Sequence, residues 1–275
     1  MMLRKIVLAF TEALLLLFLL SCHGSNQQYT SSLIFEENQG VYVVVGILTN
    51  ETQIVIPQKY KGKPLIIGEE AFADCTFLES VEINCYVIGK SAFENCTNIR
   101  NLTIGNAVSC IEENAFANTK KLSQIMYLAE NIGSIPGGTF LNSGTAGTGI
   151  KLTIGSQVQM VPGWFFSACD NVYLKSVSWE ENSQCTYIGP FAFYHCDDLT
   201  SMIIPKNVVY IGHHCFSGCK SLKTISFENR QEDWKIHDYR DFEEYLYIVN
   251  SDTVKNETDI AQKLIVEYNS FDWRR

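Results

Sequence analysis

The chain has 275 residues, enough for one large domain or two ordinary ones, and its 46% hydrophobic and 19% charged residues are typical of a folded body rather than a disordered chain. Its 30 acidic and 21 basic residues give a formal net charge of -9, which offers no net attraction to phosphate and excludes nucleic acid and anionic lipid as favoured partners. No apolar run beyond the N-terminus is long enough to span a bilayer.

The N-terminus has the pattern of a secretory signal, because two basic residues precede a short apolar stretch that ends at Ser21-Cys22. This ending resembles a bacterial lipobox, in which a cysteine is acylated and becomes the new N-terminus. The resemblance implies that residues 1–21 are a lipoprotein signal peptide, that Cys22 is the lipidation site and that residues 22–30 are a polar tether. The alternative is an ordinary cleaved signal in which Cys22 has no special role.

The middle of the chain repeats one unit seven times. Each copy begins with an aliphatic residue, has phenylalanine five positions later and usually has cysteine three positions beyond that. Successive copies start 21 to 27 residues apart, inside the range of leucine-rich repeats. The copies are IGEEAFADC from Ile67, IGKSAFENC from Ile88, IEENAFANT from Ile111, IPGGTFLNS from Ile135, VPGWFFSAC from Val161, IGPFAFYHC from Ile188 and IGHHCFSGC from Ile211.

A short alternating run follows most copies, such as Val81-Glu82-Ile83, and has the period of a strand with one buried face. A unit of this size cannot bury its apolar face alone, whereas stacked neighbours share a continuous core. We therefore predict a solenoid with a parallel sheet along one side and the alanine-phenylalanine pairs on the other, filling its interior.

The unit resembles the repeat of the BspA-like leucine-rich repeat family of bacterial surface proteins, which reads IGxxAFxxCxxLxxVxIPxxVxxIG. The resemblance covers residues 67–227 and is best in IGPFAFYHCDDLTSMIIPKNVVYIG, which starts at Ile188. It implies a leucine-rich repeat solenoid, rich in β-structure, with a parallel sheet on one face and short irregular or helical turns on the other. Residues 31–66 are similar to the N-terminal cap hairpin and partial repeat that open such arrays, and residues 228–275 are predicted to form a C-terminal cap.

Repeats four and five depart from the pattern. Thr139 and Phe165 occupy the position that is alanine in most copies, and residues 144–149 have the composition of a loop insertion. Local irregularity is therefore expected in this part of the solenoid.

The cysteines are interpreted through the same repeat. Because the recurrent cysteine position also accepts threonine and serine, we expect small packed side chains and free thiols there rather than disulfides. Nine cysteines remain after removal of Cys22, and an odd number cannot pair completely. The residues at this position are Cys75, Cys96, Thr119, Ser143, Cys169, Cys196 and Cys219.

No chemical site stands out from the repeat. His213, His214 and Cys215 are zinc-ligand types, but nearby Cys219 is explained by its repeat position, so no metal site is predicted. The glycine-rich loop before Lys151 lacks the lysine spacing of a phosphate-binding loop. No Ser, His and Asp set is distinguishable, so we predict no catalytic residue, no cofactor and no enzyme activity.

A solenoid presents a long, rigid sheet face, and that geometry favours binding to a macromolecule. We predict a weakly charged protein-binding strip on the outward strand positions. By family resemblance the protein is expected on the cell surface, held to the membrane by its lipid anchor alone, with host extracellular matrix or a bacterial surface protein as its partner. The outward positions are Glu82, Thr103, Met126, Thr153, Ile203 and Ser226, flanked by Ser80, Asn101, Gln124, Ser201 and Thr224.

A second function of a different class also fits the sequence. The chain could be a structural or glycan-binding partner within the bacterial envelope, with exposed aromatic residues such as Trp164 and Trp179 as the contacts.

Overall fold

In a computed structural model, the structure describes residues 30–167 and 172–228, together with the backbone of three further strands. The described residues form 20 strands and no α-helix. The strands are β1 (Leu33–Asn38), β2 (Val41–Ile47), β3 (Gln53–Ile56), β4 (Lys59–Tyr60), β5 (Lys63–Ile67), β6 (Ser80–Ile83), β7 (Val87–Ile88), β8 (Asn101–Ile104), β9 (Cys110–Ile111), β10 (Gln124–Tyr127), β11 (Ile150–Ile154), β12 (Met160–Val161), β13 (Leu174–Trp179), β14 (Tyr187–Ile188), β15 (Ser201–Ile204), β16 (Tyr210–Ile211), β17 (Thr224–Phe227), β18 (Trp234–His237), β19 (Tyr247–Val249) and β20 (Asp272–Arg274).

One long strand per repeat builds a parallel sheet along one side of the molecule, here called the broad sheet. Strands β3, β6, β8, β10, β11 and β13 pair in this order, and β15 pairs with β17 beyond them. Each strand buries every second residue, as Val81 and Ile83 are buried while Glu82 is exposed. The predicted solenoid with a parallel sheet is confirmed.

In every repeat except the fourth, the aliphatic residue that opens the repeat lies in a second sheet, here called the narrow sheet, which the sequence did not indicate. Strands β5, β7 and β9 pair in parallel, and so do β12, β14 and β16. Each of β7, β9, β12, β14 and β16 has only two residues, such as Val87 and Ile88, which is too short for an alternating pattern to show.

All seven repeat phenylalanines are buried, and their rings stack from Phe72 to Phe166 and again from Phe193 to Phe216. Neighbouring rings stack nearly parallel, with centroid separations of 4.9 Å for Phe72–Phe93, 5.5 Å for Phe93–Phe116 and 5.7 Å for Phe193–Phe216. Offset stacking at such separations contributes about 0.5–1.5 kcal/mol per pair beyond burial. The predicted filling of the interior by these rings is therefore confirmed.

The recurrent cysteine position is occupied by a small hydrogen-bond donor. The thiol of Cys96 donates to the carbonyl oxygen of Phe72 at 3.0 Å, and the thiol of Cys219 donates to that of Phe193 at 3.0 Å. None of the eight cysteines in the described residues forms a disulfide, as predicted for this position, while Cys169 lies outside them. The Thr119 hydroxyl donates within its own repeat, to the carbonyl oxygen of Phe116 at 2.9 Å, so what cysteine, threonine and serine share there is a small side chain with one donor.

The narrow sheet is interrupted at repeat four. In regular repeats the residue after the opening aliphatic donates one repeat back, as the N–H of Glu112 does to Ile88 at 2.9 Å. Pro136 and Pro162 occupy this position in repeats four and five, and proline has no N–H to donate. Ser134 pairs instead with Gly163, three residues beyond Met160, its equivalent in the next repeat. This is the irregularity expected for repeats four and five.

Both ends of the narrow sheet continue into other strands. At the start, β2 pairs in parallel with β5, and β1 pairs with β2 as an antiparallel hairpin. At the end, β20 pairs antiparallel with β16, and β18 and β19 follow it. The predicted signal peptide, Cys22 and the tether up to residue 29 lie outside the described residues.

Candidate binding surfaces

The predicted strand positions lie side by side in one row across the broad sheet, here called the broad-sheet row. Glu82 pairs with Thr103, Thr103 with Met126, and Met126 with Thr153 in the parallel register. Farther along, Ile203 pairs with Ser226. The side chain of Ile203 is 48% exposed, the largest apolar exposure in the row.

Two members of the row were missed by the sequence prediction. Val55 pairs with Glu82, and Ser178 pairs with Thr153, whose hydroxyl lies 3.1 Å from that of Ser178. Val55 is the middle residue of Ile54-Val55-Ile56-Pro57, which matches Met202-Ile203-Ile204-Pro205 around Ile203 and could have indicated a strand of the same sheet. A register shift between Ile150 and Lys151 displaces β13 by one residue and hides Ser178 from simple repeat alignment.

The neighbouring outward positions form a second row that is equally poor in charge. Across both rows Glu82 and Lys151 are the charged residues, so this face is neutral although the chain carries a net charge of -9. The members of the second row are Gln53, Ser80, Asn101, Gln124, Lys151, Ser176, Ser201 and Thr224.

A different kind of surface lies on the turn that follows the narrow sheet. Three aromatic residues occupy the same position in repeats five to seven with left-handed backbone, at φ of 60° for Trp164, 56° for Phe191 and 54° for His214. Trp164 stacks on Phe191 at 4.1 Å, and Phe191 stacks on His214 at 4.9 Å. Bulky residues rarely adopt this conformation, so the surrounding structure must enforce it. We call these residues the aromatic ladder.

A cleft of about 620 Å³ opens where the narrow sheet is interrupted. Its walls include Glu112 and Glu113 of repeat three, Ser134 of repeat four and Trp164 of repeat five. The cleft is thus a consequence of the missing strand pairing at Pro136.

A comparison with protein families decides what kind of solenoid this is. The family model for the BspA type leucine-rich repeat region matches residues 49–173 and 148–262, with 6 copies of the repeat. The chain belongs to the BspA-type leucine-rich repeat family. The resemblance seen in the sequence is confirmed.

Several solved structures are similar to this BspA-type chain. A leucine-rich cell surface protein from Faecalibacterium prausnitzii has a TM-score of 0.48 and 25% identity, covering 76% of this chain and 56% of that protein. A leucine-rich repeat protein from T. pallidum has a TM-score of 0.47 and 17% identity, covering 74% of this chain and 83% of that protein. One from Eubacterium ventriosum has a TM-score of 0.30 and 20% identity, covering 74% of this chain and 73% of that protein. This chain therefore spans little more than half the length of the F. prausnitzii protein.

No curated protein sequence matches this BspA-type chain.

In residues 30–167 and 172–228 we find no helix with the length and apolarity needed to cross a bilayer.

Cys196 and Cys215 of the BspA-type repeats are buried as packing groups. Burial raises the pKa of the Cys215 thiol and that of the Cys196 thiol, which keeps both protonated, whereas a metal ligand or nucleophile must be a thiolate. Within these ranges no three His, Cys, Asp or Glu side chains lie together as metal ligands would. The glycine-rich residues before Ile150 form a turn, and Lys151 lies on the exposed face of β11.

The two tryptophans considered as glycan contacts belong to different surfaces. Trp179 lies on β13, where its indole N–H donates to the carbonyl oxygen of Ile203 at 2.8 Å. Trp164 lies in the aromatic ladder with 38% of its surface exposed. The structure does not bring them together into one site.

Proposed function

We propose that this chain is a non-catalytic, lipid-anchored cell-surface protein that uses its broad-sheet face to bind another protein. By family resemblance the partner is host extracellular matrix or a protein on a neighbouring bacterial cell. The observation that carries the proposal is the broad-sheet face made of both rows, where the charges of Glu82 and Lys151 balance on a chain of net charge -9.

The composition of the row supports a protein partner. The exposed side chain of Ile203 and the half-buried side chain of Met126 supply apolar contacts, and the flanking residues supply uncharged hydrogen-bonding groups. Protein interfaces combine such an apolar centre with a polar rim, and charged residues are depleted at their cores.

The anchor and the caps complete the proposal. Acylation of Cys22 would attach the chain to a membrane through its lipid alone, since several acyl chains on one residue give stable attachment. Residues 31–66 and 228–275 would cover the two ends of the seven repeats at 67–227, since the open ends of a solenoid expose its core. Cysteine-to-alanine replacement at Cys22 should abolish incorporation of an alkyne-tagged fatty acid and release the chain from the membrane fraction.

The face is tested by a matched pair of variants. Ile203→Ala removes a 48% exposed side chain from the row, whereas Leu48→Ala removes a 50% exposed one outside it. We expect Ile203→Ala, combined with Met126→Ala, to weaken attachment to immobilised host matrix or to bacterial cells about fivefold or more, as truncation of central contacts does. Leu48→Ala should bind as the parent does. Equal binding by both variants, with unchanged melting temperatures, would contradict the proposal.

The alternative is a structural or glycan-binding partner within the envelope, and the exposed ring of Trp164 favours it. Protease treatment of intact cells separates the two proposals. Cleavage of the chain supports surface display, whereas protection of the chain supports a place inside the envelope.

A further inference from the structure

The aromatic ladder has a vacant place at repeat four. The position held by Trp164 in repeat five is held by Gly138 in repeat four and by Asn114 in repeat three, and all three have positive φ. Phe191 covers one face of the Trp164 ring. Because Gly138 has no side chain, no residue of the ladder covers the other face.

The vacant place opens into the cleft that Pro136 creates. Successive rings of the ladder are 4.1 and 4.9 Å apart. A missing ring therefore leaves a slot beside the exposed face of Trp164, bounded at Gly138 by the Asn114 amide, whose oxygen lies 3.0 Å from where a Cβ of residue 138 would be. Ser134 also lines the cleft and offers a hydroxyl group at its wall.

The wall opposite Trp164 is acidic. Glu113 pairs with Lys90 at 3.1 Å, and a carboxylate oxygen of Glu112 accepts the backbone N–H of Lys90 at 2.8 Å. The carboxylates of Glu69, Glu112 and Glu113 together raise the pKa of Lys90, with Glu113 the largest cause. Glu112 and Glu113 line the cleft, so two carboxylates against the single ammonium of Lys90 leave an excess of one negative charge beside the slot, which favours a cationic occupant.

We infer that the cleft binds the guanidinium group of an arginine side chain on a partner protein, stacked on Trp164 in the place of the missing ladder ring. A guanidinium is planar, stays charged, stacks on aromatic faces and donates to carboxylates, so it fits both the slot and its wall. An ammonium has the charge without the plane, and a sugar ring can stack and donate hydroxyl groups to the carboxylates but has no charge to balance theirs. The inference does not rest on the broad-sheet face, which lies on the other sheet.

The test uses the full chain in mild detergent and the peptide acetyl-Gly-Arg-Gly-amide. Binding is followed by broadening of the peptide's own NMR signals, which also serves the variant without Trp164, and is located by NMR of the indole N–H groups of the four tryptophans. We expect the Trp164 resonance to shift with the arginine peptide, with about fivefold weaker binding by the lysine peptide and no shift with citrulline, which has the same shape without charge. Equal shifts with citrulline, or a shift with maltohexaose and none with arginine, would overturn the inference.

Four variants locate the site. Trp164→Asn removes the ring but keeps a residue type that tolerates left-handed backbone, so it should abolish binding without unfolding. Glu113→Gln should weaken binding about threefold to fivefold. Gly138→Phe should displace the Asn114 amide, whose oxygen lies 3.0 Å from the added Cβ, fill the slot with the chain's own ring and block the peptide. Tyr173→Ser, which removes a 41% exposed ring elsewhere, is the matched control and should bind normally. Unchanged binding by Trp164→Asn, with an unchanged melting temperature, would contradict the assignment.

Discussion

The hydroxyl of Ser143 lies 2.9 Å from the carbonyl oxygen of Phe116, one repeat earlier in the chain, and donates to it. Thr119, at the same position of the earlier repeat, donates to the Ser143 hydroxyl at 2.8 Å. Both side chains are buried, so the recurrent cysteine position joins successive repeats through small donors.

Replacing this donor should destabilise the repeat stack. We expect Ser143→Ala to lower the free energy of unfolding by about 1 kcal/mol, because it removes one buried hydrogen bond while the Thr119 hydroxyl still donates to the Phe116 carbonyl oxygen at 2.9 Å. Ser143→Cys should cost less, since a thiol occupies the position in other repeats. Urea unfolding followed by circular dichroism measures both. Equal stability of the alanine and parent chains would show that the position requires only small size.

Replacing the buried hydroxyl of Tyr127 should have the opposite effect and stabilise the protein. Its ring is fully buried against Phe165, while its hydroxyl is buried without a hydrogen-bond partner among the described residues. Burying an unpaired hydroxyl is unfavourable, and burial raises the pKa of this phenol. Tyr127→Phe should therefore raise the free energy of unfolding by about 1 kcal/mol. A loss of stability in thermal melts would mean that the hydroxyl does have a partner.

The hairpin at the start of the solenoid should be sensitive to acid. Lys63 donates a hydrogen bond to Glu37, and the hydroxyl of Tyr42 donates to the same carboxylate at 2.9 Å. These contacts, Lys63 first, lower the pKa of Glu37 from its ordinary value of 4.5.

The sign of the pH effect follows from that direction. The contribution of Glu37 to stability is present above its ordinary pKa and is lost as the pH falls through the lowered value. Glu37→Gln should therefore flatten the decline in melting temperature between about pH 6 and about pH 3. Glu36→Gln, on the neighbouring residue, is the control. Parallel declines in the parent and Glu37→Gln would exclude this contribution.

Native thiol labelling should distinguish the cysteines. Cys110 is exposed, whereas burial raises the pKa of Cys185 to about 11 and that of Cys85 to about 12. Thiolates are the reactive form, so Cys110 should react with a maleimide before the other two, and faster as the pH rises. Peptide mapping by mass spectrometry identifies the labelled residue, and Cys110→Ser should remove that product. Labelling of Cys185 at the same rate would mean that the solenoid opens readily.

The regular part of the fold could be predicted from the sequence because the same residue types recur at the positions that the core requires. Phenylalanine in all seven copies predicts the stacked row, and the alternation around Glu82 and Thr103 predicts the broad sheet. The sequence indicates that the recurrent cysteine position needs a small side chain. Its role as a hydrogen-bond donor depends on where the acceptor carbonyl of the previous repeat lies, which only the structure shows.

The irregular part was less accessible. Proline at Pro136, where most repeats have glycine, was a usable signal for a broken ladder, because proline has no N–H. The left-handed backbone of Trp164 and Phe191 was not predictable, because residue identity at that position varies from glutamate to histidine between repeats. At the C-terminus helix and strand remained open, and the structure has strands at 234–237, 247–249 and 272–274.

Successive repeats advance in one direction along the solenoid and build the elongated face of the broad sheet. Spin labels placed at Glu82 and, in turn, at Ser178, Ile203 or Ser226 test it directly by pulsed electron paramagnetic resonance, with Cys75 and Cys110 replaced by serine. We expect backbone separations from Glu82 that increase by about 5 Å per strand, to about 19 Å at Ser178, about 24 Å at Ile203 and about 29 Å at Ser226. Separations that fail to increase in that order would contradict it.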